Sequence, residues 1–67
     1  MSIVFQVIWG REQHVISNHR TIKKANEVGI GWTKKTDVPI RLRSVSRRKE
    51  RGKVIEKVVM YHRLTNA

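Results

Sequence analysis

Apolar and polar residues follow two rhythms along this chain, strand and helix, in three successive stretches. Ile3 to Trp9 (IVFQVIW) is rich in β-branched and aromatic residues and stops at Gly10, which predicts a strand closed by a turn. Ile3, Phe5, Val7 and Trp9 fall on one face of it, and Val4, Gln6 and Ile8 on the other. Both faces are mostly apolar, as in a central strand. Gln13 to Ser17 (QHVIS) reads as a short second strand, reached through a turn at Gly10 and Arg11.

The rhythm then changes. From Thr21 to about Lys35, Ile22, Ala25, Val28, Gly29 and Trp32 recur at spacings of three and four, the period of one helix face. Asn18 or Thr21 caps its start. Gly29 and Gly31 each cost about 1 kcal/mol against alanine inside a helix, so the helix either runs through them or ends near Gly29. Asp37, Val38 and Pro39 mark the exit. Ile40 to Ser46 and Lys53 to Leu64 return to strand character, with Arg47 to Gly52 as the loop of a hairpin.

The resulting order, β-β-α-β-β, describes a small α+β domain: an antiparallel sheet with one helix packed on one face. Residues 1–64 form the domain and 65–67 a free tail. In the hairpin, Ile40 opposite Met60, Leu42 opposite Val58 and Ser46 opposite Val54 would give an apolar core side. The other side then carries Arg41, Arg43, Val45 and Arg47, with Lys53, Ile55, Lys57, Val59, Tyr61 and Arg63. A shift of one residue would bury Arg41 and Arg43, at a high desolvation cost.

Charge gives this hairpin its interest. The 67 residues hold 15 Lys and Arg against five Asp and Glu, a formal charge of +10. Self-repulsion of that size is relieved by an anionic partner. Arg41 to Lys53 alone contains seven basic residues and one acid, Glu50. The expected contact set is Arg41, Arg43, Arg47, Arg48, Lys49, Arg51, Lys53 and Lys57, extended by Tyr61, which can stack on a base, and Arg63. Charged side chains also protect sheet edges from aggregation, which accounts for the Lys and Arg but not for Val45, Ile55, Val59 and Tyr61 among them.

Catalytic chemistry finds no footing. His14, His19 and His62 have no metal-ligand spacing. Glu12, Glu27, Asp37, Glu50 and Glu56 are scattered, and Ser17, Ser44 and Ser46 lack a nucleophile motif. Gly29-Ile30-Gly31 is not a phosphate loop, and Trp9 and Trp32 are in phase with core positions. There is no cysteine, hence no disulfide or thiolate site. The apolar start, Met1 to Trp9, lacks the features of a signal peptide, and no stretch reaches the ~18 apolar residues of a membrane span.

The expectation is a cytoplasmic, non-enzymatic binding module without cofactor or metal, whose partner is DNA or RNA. The alternative is an inhibitor or adaptor that binds an acidic surface of a larger protein. Size and charge also suit an accessory protein of a phage or other mobile element, and an exposed apolar stripe suits a homodimer.

Overall fold

The computed structural model describes residues 2–65. It contains β1 (Ser2–Trp9), β2 (His14–His19), α1 (Ile22–Thr33), β3 (Ile40–Glu50) and β4 (Lys53–His62). The strands form one antiparallel sheet in the order β2-β1-β3-β4, and α1 packs on one face of it. The fold is therefore the α+β arrangement expected, and β1, apolar on both faces, is central.

The helix starts where Thr21 accepts a hydrogen bond from the Lys24 N–H on its side-chain oxygen. It continues through Gly29 and Gly31 to Thr33. Most of its stripe lies on the sheet: Ala25 and Gly29 are buried and Val28 and Trp32 partly so, while Ile22, expected on the same stripe, is exposed. Opposite them stand Phe5, Val7 and Trp9 of β1, Ile16 of β2, and Ile40 and Leu42 of β3. Trp9 and Trp32 meet edge to face, with ring centroids 5.7 Å apart, a favoured aromatic geometry. These residues belong to the core.

Leu64 closes this layer. It lies over Gly29, and the Asn26 amide clips the backbone beside it. Asn26 Nδ2 donates to the Thr65 carbonyl at 2.7 Å, and the Thr65 N–H donates to Asn26 Oδ1 at 2.9 Å. Thr65, expected in a free tail, is thus tied to the helix; residues 66–67 of that tail lie outside the described residues.

The hairpin departs from expectation in two respects. Its loop is not Arg47 to Gly52 but only Arg51 and Gly52, at φ 50° and 79°. Two positive φ values in a two-residue connection suit the right-handed twist of the flanking strands. The register moves accordingly: Leu42 pairs with His62 and Ser44 with Met60. Beyond an irregularity, Val45 pairs with Val58, Arg47 with Glu56 and Lys49 with Val54. Ile40–Met60, Leu42–Val58 and Ser46–Val54 are therefore not partners. The faces of β4 change with the register. Val54, Glu56 and Val58 lie on the face away from α1, while Lys53, Ile55 and Lys57 lie on the helix side.

The helix is too short to settle this from burial. Twelve helical residues span ~18 Å, whereas the 11 residues of β3 span ~36 Å. The molecule is accordingly elongated, 41 × 24 × 16 Å. Past Arg47 the hairpin leaves the body behind and both of its faces meet solvent.

Candidate anion-binding hairpin

Two groups of polar side chains stand out, one on the uncovered face of the sheet and one on the hairpin tip.

The uncovered face has its own small buried layer. Gln6, Ile8 and Val45 are each no more than 2% exposed although no helix lies over them. Long polar side chains roof them instead. Gln6 Nε2 donates to Asn18 Oδ1 at 3.0 Å, and Arg43 Nε donates to Gln6 Oε1 at 2.7 Å. Gln13 Oε1 then accepts from both Arg43 NH1 and the Tyr61 hydroxyl, each at 3.2 Å. Arg47 NH2 donates to Asn18 Oδ1 at 3.1 Å. The network spans all four strands and satisfies both ends of the buried Gln6 amide, as a buried polar group requires. Arg47 Nε also lies 3.4 Å from Glu56 Oε1. That contact is an ion pair rather than a hydrogen bond, since the buried Nε has no aligned acceptor.

This arrangement sorts the ten residues of the expected contact set. Arg43, Arg47 and Tyr61 are engaged in the network and hold the sheet's open face together. Arg41 lies on that same face and is exposed, as is Lys49 near the tip. Arg48, Lys53 and Lys57 sit on the opposite face, Arg51 forms the turn, and Arg63 follows β4. The set does not share one surface. Arg48 NH2 is 3.1 Å from Glu50 Oε2, a solvent-exposed pair of small energetic weight. Among the described residues, Arg41, Lys49, Arg51, Lys53, Lys57 and Arg63 have no acidic partner within ion-pair distance.

Sequence reasoning gave Gln6, Gln13 and Glu56 no role in a site and took Asn18 as one of two candidate helix caps, whereas Thr21 is the cap and Asn18 lies in β2. Gln6 carries the one available signal, a lone amide in an apolar central strand, which must find partners if buried. Gln13 gives none: its side chain reaches the network because its backbone takes φ 56° in the turn between β1 and β2.

The tip is a two-stranded ribbon with cations on both faces and at its end. Arg48, Lys53 and Lys57 project to one side, Lys49 to the other, and Arg51 forward, while Val54 and Ile55 lie exposed between them. Such a ribbon can place positive charge against two walls at once. Among the described residues no group of three or more His, Asp or Glu is placed to hold a metal ion. No helix is long and apolar enough to cross a membrane.

No protein-family model, curated protein or solved structure matches the chain.

Proposed function

We propose that this protein is a non-enzymatic nucleic-acid-binding module whose contact element is the distal β3–β4 hairpin. The observation behind this reading is the two-sided distribution of Arg48, Lys49, Arg51, Lys53 and Lys57 on a ribbon that projects beyond the helix. A duplex groove has phosphates on both walls, and the major groove of B-DNA admits a two-stranded β-ribbon. An acidic protein surface, the competing partner, would engage one face of the ribbon and leave the other's cations idle.

Arg41 and Arg63 extend the contact toward the body. Arg43, Arg47 and Tyr61 act indirectly, by fixing the sheet from which the hairpin projects. Contacts are mainly to phosphate, which position the protein without reading sequence. A cytoplasmic location accompanies this reading.

The test is a salt titration of binding to duplex DNA and to RNA. With about five phosphate contacts, log K falls with log salt at a slope of about −4 to −5. Reversal of Lys49, Arg51 and Lys53 to Glu should abolish most of the binding without changing the melting temperature. A slope near zero, or binding that survives the reversal, overturns the proposal.

A further inference from the structure

Phosphate contact accounts for the cations of the distal hairpin but not for Val54 and Ile55 among them, which are 61% and 39% exposed. The ladder sets each beside a cation. Val54 is the cross-strand partner of Lys49 on one face, and Ile55 that of Arg48 on the other. Directly opposed side chains have Cβ atoms about 4.5–5.5 Å apart, so each face presents one apolar group next to one positive charge. Strand propensity does not require this, since threonine serves a solvated ladder as well.

The dimensions of the ribbon narrow what can meet this pattern. Three ladder pairs stand beyond Arg47: Arg48–Ile55, Lys49–Val54 and Glu50–Lys53. At about 3.4 Å per residue they reach about 10 Å past the body, before the turn at Arg51 and Gly52. The major groove of B-DNA is about 8.5 Å deep and about 12 Å wide. Sheets stack about 10 Å apart, so one layer with its side chains is about that thick and fits between the walls. The major groove of A-form RNA is deep but too narrow for side chains to read, and its minor groove is wide and shallow. The reach and thickness of the ribbon match the first of these grooves and neither of the others.

That groove also supplies an apolar partner. Thymine carries its C5-methyl group into the major groove, and uracil, its counterpart in RNA, has none. We infer that the ribbon enters the major groove of B-form DNA with Lys49 and Arg48 toward phosphates of opposite walls and with Val54 and Ile55 against thymine methyl groups. Arg48 meets Glu50 through NH2, which leaves its other N–H groups to donate to phosphate. This inference rests on the nucleic-acid reading of the hairpin and adds a preference to it, for DNA over RNA and for thymine at the points of contact.

The test compares one short A·T duplex in three forms: DNA, the same DNA with deoxyuridine in place of thymidine, and RNA. Removing the methyl groups leaves the phosphates where they were. Each buried methyl is worth about fourfold in affinity, so the deoxyuridine duplex should bind roughly tenfold more weakly than the thymidine duplex, with the same salt slope. The RNA duplex should bind more weakly still. Val54→Ser combined with Ile55→Ser should erase the difference between the two DNA duplexes. Equal affinity of the unaltered protein for those two duplexes overturns the methyl contacts, and RNA bound as tightly as DNA overturns the choice of groove. A difference that survives the paired serine substitutions overturns the roles of Val54 and Ile55. If none of the three duplexes binds, the nucleic-acid reading itself falls, and this inference with it.

Discussion

Leu64 occupies the space that a side chain on Gly29 would need: its Cδ2 methyl lies 2.5 Å from where a Cβ would stand. A helix glycine here is a packing requirement and not a turn. Gly29→Ala gains about 1 kcal/mol of helix propensity but must displace the partly buried Leu64, whose packing is worth about 1–2 kcal/mol, less than the full burial of a leucine. The expected net loss is up to about 1 kcal/mol in urea denaturation. Leu64→Ala should cost markedly less in the Gly29→Ala background than alone. Gly31 has no atom near its Cβ position, so Gly31→Ala should stabilise by up to about 1 kcal/mol. Equal effects at the two glycines would refute the close approach.

The Asn26 clip makes a separate prediction. Asn26→Ala removes both hydrogen bonds to Thr65. It should cost about 1–2 kcal/mol in total and raise amide exchange at Thr65 well above that of the helix. Unchanged exchange at Thr65 would mean the clip does not hold the segment in solution.

Arg43 and Arg41 are neighbours on one strand with different duties. Arg43→Ala leaves Gln6 Oε1, on a side chain only 2% exposed, without its donor. An unsatisfied buried acceptor costs about 1–3 kcal/mol, so this variant should melt measurably lower. Arg41→Ala should leave stability nearly unchanged and weaken nucleic-acid binding. If the two variants melt alike, the roof over Gln6 is not a structural element.

Arg51 strains the turn it forms. A non-glycine residue at φ 50° is uncommon, and asparagine tolerates this region better. Arg51→Asn creates the Asn-Gly pair favoured in two-residue hairpins. It should protect the amides flanking the turn and, with one phosphate contact gone, flatten the salt slope of binding by about 1. A steeper slope would remove Arg51 from the interface.

The element order and the helix-side core were legible because period and burial agree there. Phe5, Val7, Trp9, Ile40 and Leu42 alternate with polar or outward-facing residues, and α1 lies over them. The outer half of the hairpin was not legible. Choosing a register by sparing arginine from burial assumes that one face is buried. Past Arg47 neither face is, so the sequence pattern there carries no register information. The turn was hidden as well, since Arg51 is not a residue that announces positive φ. Clustering of cations between Arg41 and Lys53 could be read directly, but their division between two faces depends on that turn. The neutralising role of Glu56 on Arg47 depends on it too.

The mismatch in length between α1 and β3 also divides the molecule into two genetic territories. Residues up to Arg47 and the helix belong to the packed body, so most substitutions there reduce folding. From Arg48 to Ile55 the ribbon rests on its own ladder and turn, and side chains can be exchanged with little penalty to the body. A saturation library over that ribbon should yield mostly folded variants, and its sequence constraints would report the bound partner directly.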